Sequence, residues 1–320
     1  MKTEISYGKA GVAVYRTHAT PLRGLTPIPE SSFVGRDNIL MAADIAVEVL
    51  GEAFLAAYTE GDNRLVVATD TMKNFIHAQS LVFGGSTLEG WLDFIGRAFL
   101  ATYPHMEGLR LTGRELTFLP AHVPTAATPA IGGTAGHPVG QRLGESPVLF
   151  QRRRDDHATV SLELSRSEAG VRITDLRGGR ADLQLMKVSG SSFALFARDQ
   201  YTTLPERTDR PLYIHLDVTW RYQDPDLAVT DDHAQYVAAE QVGDVVGVVF
   251  HEFVSLSIQH LVHEMGGRIL ERYPQLREVS FEAQNRLWDL SLVSGSDERQ
   301  KVYCDPRPPY GLITLTLRRD

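Results

Sequence analysis

The sequence predicts an α+β fold in which one strand–strand–helix–helix–strand–strand unit occurs twice, each time as an antiparallel sheet with helices on one face. Three observations predict it. Stretches of alternating apolar and polar residues recur in both halves, the pattern of strands with one buried side. Between them lie stretches whose apolar residues share one helical face. Finally, Tyr103-Pro104-His105-Met106-Glu107-Gly108-Leu109-Arg110-Leu111 is echoed by Tyr273-Pro274-Gln275-Leu276-Arg277-Glu278-Val279-Ser280-Phe281. Each copy stops an amphipathic helix at Pro and begins a strand a few residues later, as a duplicated unit would. A chain of 320 residues is long enough for two cores.

Taken in order, residues 12–15 and 45–57 read as strands, the second long enough for one arm of a hairpin. Glu60-Gly61-Asp62-Asn63 is a turn by composition, and residues 65–68 return as a strand. From Thr71 onward, Met72, Phe75 and Ile76 mark a short helix. Ser86-Thr87-Leu88-Glu89 has the capping-box pattern, and Leu88, Trp91, Leu92, Ile95 and Phe99 place a second helix behind it. That helix ends before Tyr103-Pro104, and residues 109–118 alternate as a strand. Residues 119–147 are rich in Pro, Gly, Ala and Thr and lack periodicity. They read as a flexible connection (121–147) between a first unit over 1–120 and a second over 148–320, with a functional lid as the alternative. The second unit is expected to hold strands at 159–164, 171–176, 183–188 and 212–220, one long helix over 246–271, and strands at 279–281 and 287–292. Open sheet edges in such units invite pairing with other copies, so a closed oligomer is expected.

Composition excludes several classes. A net charge of -8 argues against a nucleic-acid partner, which needs clustered positive charge. The run Arg152-Arg153-Arg154 is followed by Asp155-Asp156 and reads as a solvated turn. A single cysteine, Cys304, suits a reducing compartment and reads as a bystander. No stretch resembles a signal peptide or a bilayer span, and the last residues are not a peroxisomal address, so cytoplasmic work without a membrane partner is expected.

Several residues bear on chemistry. Leu65-Val66-Val67-Ala68 runs into Thr69-Asp70-Thr71 and a helix, a corner where a hydroxyl and free backbone N–H groups can face a small polar ligand. The Thr69 hydroxyl has an ordinary alternative, capping that helix. Lys9, in Tyr7-Gly8-Lys9-Ala10-Gly11-Val12, is either an exposed strand-end lysine or a desolvated amine with a lowered pKa, available as a base. Phe193 reads as a core aromatic, with Phe196 alternating away from it. Arg210 either pairs with Asp209 or Asp217 or is free for an anion. His260 and His263 share a helix face and form a candidate metal pair, but neither zinc-protease order is present and surface histidines are the plainer reading.

Tyr7-Gly8-Lys9, the stretch Val66-Val67-Ala68-Thr69-Asp70 with Lys73-Asn74, Phe193 ahead of Arg198-Asp199-Gln200-Tyr201-Thr202-Thr203-Leu204, and Ser257-Ile258-Gln259 together resemble the urate oxidases (uricases) of bacterial type. The resemblance runs along most of the chain. It implies the tunnelling fold (T-fold), two tandem units per chain, and a homotetramer stacked into a hollow barrel with active sites between subunits. It implies oxidation of urate with dioxygen (O2) and water to 5-hydroxyisourate and hydrogen peroxide, with no cofactor and no metal. By the same resemblance Lys9 and Thr69 form a proton-relay dyad, and Asp70 offers its backbone N–H. Those residues come from one chain. From its neighbour come Phe193, stacking on the purine, Arg210, clamping the anion, Ile258 and Gln259, meeting the purine edge, and Asn285, held over the ring where O2 or water sits.

One departure stands out. Several urate oxidases place a His just after this Asn, where Arg286 and Leu287 stand here. The relay then runs through Lys9, Thr69 and water, or another residue substitutes. Two other classes stay open: a pterin- or GTP-type enzyme of the same fold, in which His260 and His263 would matter, and a purine-binding oligomer with impaired chemistry.

Overall fold

The computed structural model describes residues 3–124, 143–153 and 156–319. Strands β1 (Ser6–Thr17) and β2 (Leu40–Leu50) pair antiparallel. Helices α1 (Leu55–Thr59), α2 (Thr69–Val82) and α3 (Leu88–Thr102) follow, and β3 (Gly108–Glu115) returns beside β2. β4 (Phe118–Pro124) and β5 (Leu143–Arg152) form a separate ribbon. The chain then continues through β6 (His157–Ser167), β7 (Gly170–Lys187), β8 (Leu212–Tyr222), α4 (Ala239–Glu252), α5 (Ile258–Arg272) and β9 (Leu276–Asn285). A second ribbon of β10 (Asp289–Val293) and β11 (Lys301–Cys304) precedes β12 (Gly311–Arg318). Eight strands make one antiparallel sheet in the order β1-β2-β3-β6-β7-β8-β9-β12. The expected order of two strands, two helices and two strands therefore occurs twice, and the α+β class holds.

Strand alternation sorts the two faces. Ala43, Ile45, Val47 and Val49 of β2, with Leu109 and Leu111 of β3, are buried under the helices. The opposite face is polar and ion-paired: Arg110 bridges Glu48 and Glu163, and Arg221 bridges Asp175 and Glu278. The helical hairpins repeat residue by residue. Ala238 follows Ala68 by 170 residues as the residue before α4 and α2, and the caps Thr87 and Ser257 stand at the same spacing, each accepting an N–H of the first turn. Gly96 and Gly266 again match. A Cβ on either would press on a sheet side chain, 2.4 Å from Leu164 Cδ1 and 2.6 Å from Leu317 Cδ1, so glycine lets each helix lie close to the sheet.

Several expectations are corrected. The strand over 45–57 ends at Leu50, because Gly51 turns with φ 120° and a short helix follows. Residues 65–68 are irregular, and the helix behind them is longer than expected. Strand 109–118 divides at Glu115 into β3 and the ribbon strand β4. The connection is ordered at both ends as β4 and β5, while residues 125–142 at its centre, and Arg154 and Asp155 of the basic turn, lie outside the described residues. Strands 171–176 and 183–188 are one strand, β7, with a register break between Arg180 and Leu183. The single helix over 246–271 is two, parted at residues 253–257. The strand at 287–292 belongs to the second ribbon, and β12 was not expected.

The capping box is also revised. Thr87, not Ser86, caps α3, and Glu89 turns inward to accept a hydrogen bond from Tyr236 Oη at 2.8 Å. Burial pushes the Glu89 carboxyl up to about 7. Between the ordinary carboxylate range and that value the folded chain holds a proton that the unfolded chain releases. Stability is thus unaffected below about pH 4 and declines as pH rises toward 7. Glu89→Gln keeps the acceptor and cannot ionise. It should be more stable than wild type at pH 8, by up to about 3 kcal/mol, with the gap closing near pH 4 in thermal denaturation.

Candidate active site

Two groups of candidate residues form, each held by tethers between residues distant along the chain. In the first, Gly8 lets β1 approach β2 so closely that a Cβ would lie 2.0 Å from Val47 O. Lys9 follows it at the register break of β1, where Gly11 takes φ 71°. The Val67 N–H donates to Tyr7 Oη at 2.9 Å instead of to a strand ladder, which ties the segment before Thr69 to the strand of Lys9. Tyr7 rests edge-on against Phe54, with ring centroids 4.7 Å apart, and burial raises its phenol pKa. Tyr7→Phe leaves the buried Val67 N–H without its acceptor and should cost about 1–3 kcal/mol, read as a lower denaturation midpoint.

Thr69 does not cap α2. The cap position is Ala68, no side chain caps the helix, and the N–H of Met72 bonds back to Ala68 O at 3.1 Å. The N–H groups of Thr69, Asp70 and Thr71 therefore have no helical partner and sit beside an exposed hydroxyl. The Asp70 carboxylate accepts from Lys73 Nζ at 2.6 Å and from Asn74 Nδ2 at 3.1 Å. Lys73 first, with a smaller contribution from Lys9, holds its carboxyl below the usual range. Lys9 itself is half-buried, and its side chain donates no hydrogen bond among the described residues.

The second group forms around the connection from β7 to β8. The Ser192 N–H donates to Ser255 O at 2.8 Å, Ser255 Oγ to Ser191 Oγ at 3.3 Å, and the Arg210 N–H to Ser191 O at 2.8 Å. These bonds seat the connection on the break between α4 and α5. Phe193 and Phe196 do not alternate away from each other: Leu195 turns with φ 59°, and the rings stack with centroids 4.9 Å apart. Arg210 lies over this stack, its Cζ 5.4 Å from the Phe193 centroid.

Neither expected carboxylate pairs with Arg210. Asp209 accepts from the Gly190 N–H, and Asp217 accepts from the Asp182 N–H. Arg210 Nε is buried without a hydrogen-bond partner, and burial, with the charge of Arg207 adding, lowers its pKa. Ile258 is buried as the first residue of α5, and Gln259 is exposed in the same turn. Asn285 ends β9, and its Oδ1 is the other candidate atom buried without a partner. Arg286 instead bonds Gln284 Oε1 and lies 4.4 Å from the Tyr310 ring centroid, while Leu287 packs on the core.

The chain does not join the two groups. Lys9 is on the edge strand β1 and Asn285 on β9, six strands away, or roughly 29 Å along the sheet. No hydrogen bond, ion pair or ring contact links the groups among the described residues. His260 lies edge-on to Phe253, and no three metal-ligating side chains converge among the described residues. The tethers Tyr7, Ser191 and Ser255 were missed by the sequence reading, since a lone hydroxyl announces nothing about its partner.

Comparisons with known proteins agree in kind. A family model described as uricase matches residues 176–314. The uricase of Haloferax volcanii is 45% identical over 315 residues, covering 98% of this chain and 98% of that protein. The uric acid degradation bifunctional protein PucL of Bacillus subtilis is 44% identical over 320 residues. This chain spans 62% of the length of PucL and 60% of that of the corresponding bifunctional protein of Bacillus sp. TB-90. Among solved structures, urate oxidase from Bacillus sp. TB-90 matches with a TM-score of 0.91 and 42% identity over 98% of this chain and 100% of that one. A uricase from Bacillus fastidious matches with a TM-score of 0.92 and 42% identity over 99% of this chain and 94% of that one.

Proposed function

The chain belongs to the uricase family, and from that premise we propose that it oxidises urate with O2 and water to 5-hydroxyisourate and hydrogen peroxide, with no metal or organic cofactor. The observation that carries the reading is a guanidinium set over an aromatic ring and paired with no carboxylate among the described residues. Arg210 lies over the Phe193 ring without a carboxylate, its Nε buried and unpartnered, as the Oδ1 of Asn285 also is. Buried polar atoms nearly always have a partner, whether protein, water or ligand, and these two belong to residues that the family resemblance assigns to the substrate.

In this reading a purine lies on the Phe193 ring and presents two acceptors to the fork of Arg210. The Gln259 amide offers donor and acceptor to the lactam edge, with the backbone of Ile258 beside it. The Lys9 amine and the Thr69 hydroxyl remove a proton from the bound urate, and the Asp70 N–H binds the opposite edge. The resulting dianion is stabilised by Arg210 and passes electrons to O2 held beside Asn285. Because six strands separate the two groups, Lys9, Thr69 and Asp70 of one copy meet Phe193, Arg210, Ile258, Gln259 and Asn285 of another. We place those sites in a homotetramer working in the cytoplasm, and the free edges β1 and β12 are the surfaces through which copies would join.

The test is to add urate to metal-free protein under air and follow O2 uptake, peroxide release and the ultraviolet absorbance of urate. Equal amounts of O2 consumed, peroxide formed and urate lost are expected. Urate that binds while its absorbance persists would sink the catalytic reading.

A further inference from the structure

The two halves repeat in the very places the candidate residues occupy. The register break after Lys9 in β1 recurs after Arg180 in β7. The isolated bridge between Leu22 and Arg36 recurs between Phe193 and Arg207. The Val67 N–H donates to Tyr7 Oη of β1, and the Val237 N–H, at the same place ahead of α4, donates at 2.8 Å to a tyrosine hydroxyl from a different strand, Tyr222 of β8, so the donor repeats and its acceptor does not. β3 ends at Glu115 and β9 at Asn285.

These landmarks give each candidate residue a counterpart in the other half. Lys9 answers to Arg180, Thr69 to Ala239 and Asp70 to Glu240. Ile258 answers to Leu88, Gln259 to Glu89, Asn285 to Glu115, Phe193 to Leu22 and Arg210 to Ile39. Of these counterparts, Ile39, Leu88, Glu115, Arg180, Ala239 and Glu240 line one cavity of about 650 Å³ within the chain.

The chemistry of the cavity is inverted relative to the candidate active site. Ala239 has no hydroxyl, and Arg180 is ion-paired to Asp156 and lies 3.9 Å from Glu115, so it is not a free base. Leu22 and Ile39 replace the stacking ring and the clamping guanidinium. The carboxylate of Glu115 stands where the Asn285 amide serves the other site, and Glu240, a carboxylate like its counterpart Asp70, is turned to Arg36 where Asp70 is held by Lys73. An anion such as urate is repelled by this frame, whereas a planar cation suits it. One is present. Arg36 Nη1 donates to Glu115 Oε1 at 3.0 Å and to Glu240 Oε1 at 2.7 Å, and its Nε donates to Asn38 Oδ1 at 2.9 Å. Burial opposes its charge, but the two carboxylates outweigh burial and raise its pKa.

We infer that this cavity is an internal counterpart of the intersubunit urate site, recast to hold a planar organic cation, and that the Arg36 guanidinium is its resident ligand. The inference takes its symmetry from the proposed urate site, but its test reads stability and not turnover. Arg36→Ala strands Glu240 and leaves Glu115 with only the longer contact to Arg180 and the Ala158 N–H, and the denaturation midpoint should fall by about 6–10 °C. Millimolar ethylguanidinium chloride should restore part of that loss and reach a plateau, while sodium chloride at equal ionic strength should not, and wild type should show no such gain. Adding Glu115→Gln to Arg36→Ala should remove the rescue. An unchanged midpoint in Arg36→Ala, or a rescue that sodium chloride matches, overturns the inference. If Arg36→Ala yields no folded protein, Arg36→Lys decides: charge without the planar fork should melt several degrees below wild type, and a wild-type midpoint overturns the inference. Guanidinium rescue in a protein that does not consume urate would leave this inference standing and remove the proposed activity; the converse result would do the reverse.

Discussion

Lys9→Met and Thr69→Ala should each bind urate about as well as wild type and lose most of the turnover, by about 10²–10⁴-fold, the range spanned by a positioned acid or base. Structure makes these substitutions clean. The Lys9 side chain is half-buried and makes no hydrogen bond among the described residues, so a Met stem of similar girth fills its place. Thr69 caps nothing, and Ala is the better helix former, so α2 should persist in Thr69→Ala. A loss of kcat therefore reports lost proton transfer and not a damaged fold. Anaerobic titration with urate, followed by its ultraviolet difference spectrum, measures binding apart from chemistry. Full activity in either variant removes the dyad.

Arg210→Met should act on the other side of the rate law. Hydrogen bonds to a charged partner contribute about 1.5–3 kcal/mol each, so losing a two-pronged clamp should raise the urate dissociation constant by about 10²–10⁴-fold. Arg210→Lys should recover little, because an ammonium cannot present two parallel donors. Stability gives the discriminating control. Arg210 has a buried, unpartnered Nε and no carboxylate, so its removal should leave the denaturation midpoint unchanged or raise it. A dissociation constant within threefold of wild type, or a large drop in midpoint, would show that Arg210 serves the fold and not the ligand.

The helical hairpins show how far periodicity carries. In the first half the break between helices lies at Gly84-Gly85-Ser86-Thr87, which punctuates the pattern unmistakably. In the second half the same break is Val254-Ser255-Leu256-Ser257, whose apolar residues keep a helical pattern running, so one helix was expected where two exist. Laying the halves over one another at the spacing of Tyr103 and Tyr273 reveals the break. β7 misleads in the opposite sense. Two strands were expected at 171–176 and 183–188, yet β7 runs unbroken between them, and a Cβ on Gly178 would meet the Trp220 ring at 2.7 Å, so glycine there makes room within a continuous strand.

At the site, the residue types were legible and their circumstances were not. Thr69 as a helix cap and Arg210 as an ion-pair partner were both reasonable from local sequence. The first fails because the helix begins one residue earlier than a Thr cap requires, the second because Asp209 and Asp217 are already engaged by backbone donors.

Local sequence carries the alternation that makes each strand two-faced, the duplication of the unit and the motifs that mark the uricase family. Those are short-range patterns, legible wherever a few neighbouring residues decide an outcome. Tertiary structure alone decided that Lys9 and Asn285 lie six strands apart in one sheet, that Ser191 closes on Ser255, and that Arg36 reaches Glu115 and Glu240. Such pairings join residues far apart along the chain, and their free energy depends on what else is buried around them, which no local window of sequence contains.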